Sequence, residues 1–301
     1  MNEKKIAFIG SGLIGTGLAV NALTHGYSVT LQTRRRVDKM KERVAHILDL
    51  LAETRVCTKE ETEAAAARAT YTTSVAEAAD GAAFIQESGP ENLETKKAMY
   101  AEIERACPSG ALIASSTSKL LPTDLQSDMT RPERLLVGHP YHPSYLLPLV
   151  ELCGGRHTAP ETVATAKAFY ESFGKRVIVC RKELSGYIVN RLNWAAMDEA
   201  RRTVLDGCCT VEEMDQAIMY GPGLRMALTG QILTISLGVE GGLRGMTAKY
   251  GDAPSGDDET IAAGVEAEMQ NRSPLTGRTE AEISDFRDRA IITLLRLQGL
   301  L

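Results

Sequence analysis

The chain has 301 residues, 34 of them Lys or Arg and 39 Asp or Glu, a formal net charge of −5. That balance argues against a nucleic-acid partner, which needs a basic footprint, and no apolar run approaches the roughly 18 residues of a membrane-spanning helix. The length suggests about two domains; six cysteines with no CxxC pair and no Cys/His zinc spacing read as free cytoplasmic thiols rather than a metal site.

The opening Met-Asn-Glu-Lys-Lys carries no signal-peptide pattern and leads into a strand at residues 5–9. A helix at 13–25 and a strand at 28–32 follow. Residues 38–54 have the spacing of a charged amphipathic helix, and Thr58 with Glu61 forms a capping box for a helix over 58–68. Further strands are expected at 82–86, 111–114, 135–138 and 177–180, with helices at 93–106 and 161–173 between some of them. Strands alternating with helices predict a mostly parallel α/β sheet that binds ligands at the carboxyl ends of its strands. After Gly186 the periodicity is helical only: 187–205, 211–220, 226–237 and 280–297 are the best helices, and residues 251–258 (GDAPSGDD) form a loop by composition.

The first strand runs into Gly10-Ser11-Gly12-Leu13-Ile14-Gly15. With a strand before it and a helix after it, this is the glycine pattern of a Rossmann-type dinucleotide site. Gly10 permits the turn, Gly12 lets the backbone approach a pyrophosphate, and Gly15 lets helix and strand pack closely. The helix start at Leu13 and Ile14 offers N–H groups and partial positive charge to a diphosphate. The chain therefore divides into a dinucleotide-binding domain, 1–185, and an all-α domain, 186–301. The end of the second strand decides between cofactors. The position that usually carries an acid for the ribose 2′-hydroxyl is Thr33, followed by Arg34-Arg35-Arg36, with no carboxylate before Asp38. Guanidinium groups at Arg34 and its neighbours suit a 2′-phosphate, which favours NADP(H) over NAD(H). The competing reading is a solvated arginine patch, although cations at a helix start oppose its dipole.

Two of the five histidines, His139 and His142, follow the strand at 135–138 on the edge where ligands bind. Glu151 interrupts the apolar run 146–152, and a carboxylate there is costly unless paired. A pairing with His139 would orient the ring and make it a general base; an unrelated structural glutamate is the alternative.

These residues, with residues 6–15, 85–92, 115–124, 137–152, 182–192 and 220–225, resemble the 3-hydroxyacyl-CoA dehydrogenase superfamily over nearly the whole chain. The likeness is greatest to the branch containing L-carnitine dehydrogenase and L-gulonate 3-dehydrogenase (lambda-crystallin). The resemblance implies that His139 takes the hydroxyl proton, Glu151 orients it, Ser118 hydrogen-bonds the substrate oxygen and Asn190 polarises the same region. It places Glu91 and Lys96 beside the nicotinamide ribose, and implies a homodimer through the helical domain. His142 stands where the family has an asparagine that helps hold the nicotinamide. Arg225, in Gly-Leu-Arg, resembles an arginine of the carnitine and gulonate branch and offers a planar fork for a substrate carboxylate; a snorkelling arginine at a helix start is the alternative. The expected activity is hydride transfer between a nicotinamide cofactor and the 3-hydroxy or 3-oxo group of a small carboxylic acid, carnitine-like or sugar-acid-like. Its rivals are a 3-hydroxyacyl-CoA dehydrogenase and, from another class, a non-catalytic dinucleotide sensor or crystallin-like protein.

Overall fold

A computed structural model describes residues 5–10, 12–107, 110–245 and 256–301. The chain forms two compact units, Met1–Ala195 and Ala196–Leu301.

The first unit is built on an eight-stranded sheet. Its elements in chain order are β1 (Ile6–Ile9), α1 (Leu13–Thr24), β2 (Val29–Gln32), α2 (Val37–Glu53), α3 (Lys59–Ala67), β3 (Ala69–Thr72), α4 (Val75–Ala79), β4 (Phe84–Glu87), α5 (Leu93–Ala106), β5 (Leu112–Ser115), α6 (Pro122–Gln126), β6 (Leu135–Pro140), β7 (Leu149–Gly154), α7 (Pro160–Glu171) and β8 (Arg176–Cys180). The strand order is β3-β2-β1-β4-β5-β6-β7-β8. Every neighbouring pair is parallel except β6 and β7, which are antiparallel. The order reverses between β1 and β4, and such a switch point opens a crevice at the carboxyl ends of the strands. The Rossmann-type sheet expected from the sequence is present, followed by a helical second unit.

The two-residue period of a strand sends alternate side chains to opposite faces. Ile6 and Phe8 of β1 join one buried cluster with Leu31 and Phe169; Ala7 and Ile9 join another with Ile85, Tyr100 and Ile113. Both faces are covered, so β1, β2, β4 and β5 are buried along their length.

Helix α8 (Val189–Leu205) starts in the first unit and runs into the second. Expected from Tyr187, it begins at Val189 because Gly186 (φ +83°) and Tyr187 (φ +49°) hold the chain in the left-handed region. Helices α9 (Val211–Tyr220), α10 (Pro222–Thr229), α11 (Gln231–Ser236), α12 (Gly256–Asn271) and α13 (Glu280–Leu297) follow. The single helix expected at 226–237 is two, broken at Gly230 (φ +70°). Of the loop expected at 251–258, residues 251–255 lie outside the described residues, and Gly256 instead opens α12, whose first turn carries Asp257, Asp258 and Glu259. Acids there complement the helix dipole. Leu233, Val265 and Ile283 form the buried centre of this unit. No helix among the described residues is long and apolar enough to cross a membrane.

Candidate active site

The parallel strands deliver four loops to one edge of the sheet: those after β1, β4, β5 and β6. The loop after β1 is the glycine turn. Gly10 has φ +84°, and a Cβ on it would lie 2.7 Å from Gly89 N, so only glycine fits. A Cβ on Gly15 would lie 3.0 Å from the Gly10 carbonyl oxygen, whereas one on Gly12 would meet nothing within 4 Å. The space beside Gly12 is thus open to a ligand, and the start of α1 receives no side-chain cap. The helix-start N–H groups at Leu13 and Ile14 beside an open backbone suit a diphosphate. The residues present fit a dinucleotide.

Gln32, at the end of β2, accepts the Gly10 N–H through Oε1 at 3.2 Å and donates through Nε2 to the Thr73 carbonyl at 3.0 Å. Its amide ties the glycine turn to β2. The next residue, Thr33, donates through Oγ1 to the Arg35 carbonyl at 2.9 Å. Arg34, Arg35 and Arg36 are exposed, and Arg36, the N-cap of α2, provides no side-chain cap.

His139 and Glu151 face each other in register across β6 and β7. His139 Nδ1 lies 2.9 Å from Glu151 Oε2, with both side chains buried. An ionised carboxylate only accepts, so Nδ1 donates, and Nε2 is left as the acceptor. Ser118 Oγ lies 3.3 Å from that Nε2. The imidazole is tilted against the buried Tyr187 ring, centroids 5.5 Å apart. Tyr187 donates to the Leu120 carbonyl at 2.7 Å, and burial pushes its phenol well above the usual range. The other oxygen of Glu151, Oε1, accepts the backbone N–H groups of Ile188 at 2.8 Å and Val189 at 3.1 Å, at the root of α8. Asn190 is the second residue of that helix and is half-buried.

The loop that carries Ser118 is held from the β4 side. Glu91 Oε1 accepts from Thr117 Oγ1 at 2.5 Å and from the N–H groups of Ser118 and Lys119, each at 3.0 Å. One carboxylate oxygen thereby fixes three consecutive residues. Lys96, expected beside the nicotinamide ribose, is fully buried. Its ammonium donates to Glu87 Oε1 at 2.7 Å, Glu87 Oε2 at 2.9 Å and the Gly89 carbonyl at 3.4 Å. An ammonium has three donors and all three are taken.

Glu87 is a site residue that the sequence analysis missed. It also accepts from Tyr100 Oη and Ser115 Oγ, each at 2.7 Å, and from Gly89 N at 2.6 Å. Breaking so buried a pair by removing one partner costs about 3–5 kcal/mol. The signal was present: an acid two residues after the apolar run Ala82-Ala83-Phe84-Ile85.

His142 is exposed in the β6–β7 loop. That loop is docked on α1 by Ser144, whose hydroxyl donates to the Ile14 carbonyl at 2.9 Å. Arg225 is exposed on α10, in the second unit. The structure thus brings His139, Glu151, Ser118 and Glu91 together.

Residues 5–184 match the 3-hydroxyacyl-CoA dehydrogenase NAD binding domain, and residues 186–275 match the C-terminal domain of the same family. The chain is 38% identical to an L-carnitine dehydrogenase of Streptomyces griseus over 313 residues, covering 98% of this chain and 90% of that protein. An L-carnitine dehydrogenase of a Pseudomonas species is 37% identical over 98% of this chain and 94% of its own length. A crystal structure of a 3-hydroxyacyl-CoA dehydrogenase from Archaeoglobus fulgidus superposes with a TM-score of 0.72 at 27% identity, over 99% of this chain and 100% of that one. The chain belongs to the 3-hydroxyacyl-CoA dehydrogenase family and is an oxidoreductase acting on a CH–OH group.

Proposed function

We propose that the protein transfers a hydride between a nicotinamide cofactor and the 3-hydroxy or 3-oxo carbon of a small carboxylic acid, with His139 as the proton carrier. The observation that carries this reading is the Glu151–His139–Ser118 chain of contacts, 2.9 Å and 3.3 Å long, at the carboxyl edge of the sheet. Glu151 fixes the tautomer with Nε2 free to accept, and Ser118 holds the substrate oxygen beside that nitrogen. In oxidation, Nε2 takes the hydroxyl proton as the C–H bond breaks; in reduction it returns that proton to the forming alkoxide. Asn190 polarises the same oxygen from the start of α8. Glu91 is a positioning residue that sets the Ser118 loop. When bound, the nicotinamide supplies the hydride chemistry, and the protein supplies geometry and charge.

The domain spanning 1–185 holds the dinucleotide and that spanning 186–301 serves substrate binding and dimerisation. Gly10, Gly12, Leu13, Ile14 and Gly15 cradle the diphosphate, and His142 contacts the nicotinamide end. Thr33 with Arg34 receives a 2′-phosphate, which makes NADP(H) the preferred cofactor. The absence of an acid at this strand end supports that choice. Arg225 carries a substrate carboxylate, on the chemical ground that a guanidinium fork matches it. The names of the 37–38% identical relatives favour a free hydroxy acid over a thioester.

The test is turnover with carnitine, gulonate and 3-hydroxybutyryl-CoA, each with NAD and NADP. Turnover of a free hydroxy acid is expected, and His139→Ala should lower it by about 10²–10⁴-fold while nucleotide binding persists. Near-normal turnover of that variant would reject His139 as the base. Thr33→Asp should shift preference towards NAD; an NADP-to-NAD ratio unchanged by it would reject the 2′-phosphate site.

A further inference from the structure

The first turns of α8 place Asn190, Asn193 and Trp194 on one face, at i, i+3 and i+4. Asn193 Nδ2 donates to the Tyr141 hydroxyl, two residues beyond His139. The Trp194 ring lies against Gly186, where any Cβ would collide with it. Lys119 comes next. Its Nζ stands 5.8 Å from the centroid of the Trp194 ring, within cation–π range. Its backbone is fixed on both sides: its N–H donates to Glu91 at 3.0 Å, and its carbonyl accepts from Ser185 Oγ at 3.0 Å. Lys119 directly follows Ser118, the residue whose hydroxyl lies 3.3 Å from His139 Nε2, and its ammonium lies over the ring of the only tryptophan in the chain.

This arrangement bears on what the substrate carries beyond its reacting carbon. Quaternary ammonium groups are recognised by aromatic faces. Here the aromatic face already holds a cation, and a second positive charge would be repelled by it. An anionic group would instead gain a charge-assisted partner. We propose that Lys119, backed by Trp194, determines specificity: it selects a 3-hydroxy acid with an anionic end, a carboxylate or a phosphate, and rejects a trimethylammonium end. The proposal rests on the dehydrogenase reading above and narrows its substrate class.

Trp194 supplies a readout that needs no turnover, since it is the sole source of tryptophan fluorescence. The full chain is titrated with glutarate and with 4-(trimethylammonio)butanoate, neither of which has a hydroxyl to oxidise. Glutarate should bind at least about tenfold more tightly, a difference of about 1.4 kcal/mol. Lys119→Glu should reverse the order, and Lys119→Arg should keep it. Equal or tighter binding of the trimethylammonium acid to the wild type overturns the proposal. So does an unchanged ratio in Lys119→Glu, or a tryptophan emission that glutarate leaves unaltered. Turnover failing across the hydroxy acids while this binding order holds would sink the dehydrogenase reading and leave anion selection by Lys119 supported.

Discussion

Glu151 gives its Oε2 to His139 Nδ1 and its Oε1 to the N–H groups of Ile188 and Val189. A glutamine in its place cannot accept on both sides. Its carbonyl oxygen would keep the backbone N–H groups, and its NH₂ would then donate to Nδ1. That donation moves the imidazole proton to Nε2 and removes the acceptor that faces Ser118. Glu151→Gln should therefore keep the thermal midpoint close to the wild-type value and lower kcat by about 10²–10⁴-fold. Glu151→Ala should lower both, because the root of α8 also loses its acceptor. Parallel melting and steady-state assays check this, and near-normal kcat in Glu151→Gln would refute the tautomer argument. At this scale the sequence made Glu151 and His139 legible, since an acid in an apolar run demands a partner. It did not reveal the place of Lys96, because nothing local tells an exposed lysine from one folded onto Glu87, nine residues earlier.

Among elements, legibility follows burial pattern. Strands β1, β2, β4 and β5 are buried throughout and read as apolar runs. Strand β3 (Ala-Thr-Tyr-Thr) sits at the edge of the sheet, mostly half-buried or exposed, and gives no such run. Helix α12 was hidden by glycine and aspartate at its start, residues that also make loops. The β6–β7 loop depends on one distant residue. Lys175, buried just before β8, donates to the Ser144 carbonyl at 2.6 Å and the Leu147 carbonyl at 3.1 Å. Burial pulls its ammonium down from 10.5 to about 8. Below pH 8 the folded chain carries the whole cost of that buried charge. Between about 8 and 10.5 the folded form releases a proton that the unfolded form keeps, so this contribution to stability rises with pH. The neutral amine still has donors for both carbonyls. The wild type should thus gain about 2–3 kcal/mol on Lys175→Met between pH 8 and 10. Denaturant unfolding across that range measures the difference, and a flat or falling one would sink the assignment. The buried phenols of Tyr100, Tyr170 and Tyr187, pushed upward by burial, turn the trend the other way above about pH 10.

For the whole molecule, the apolar surface of the helical part is the informative feature. Helices α8 and α9 bury none of their side chains, yet they carry Met197, Leu205, Val211, Ile218 and Met219. Leu205 is 73% exposed. A chain that self-associates carries exposed apolar residues in such number, and on that ground we predict the homodimer that the family resemblance implies. Light scattering should give twice the 32.6 kDa of one chain, and Leu205→Lys with Val211→Lys should halve that mass. A wild-type monomer would end the dimer reading.

A carboxylate shared between a proton relay and the root of a helix is hard to retune for one without disturbing the other. On the mechanism proposed above, Glu151 thereby holds the reaction constant and leaves novelty to its periphery. New substrates are best sought by varying Lys119, Tyr141 and Trp194, with Glu151 and His139 left untouched.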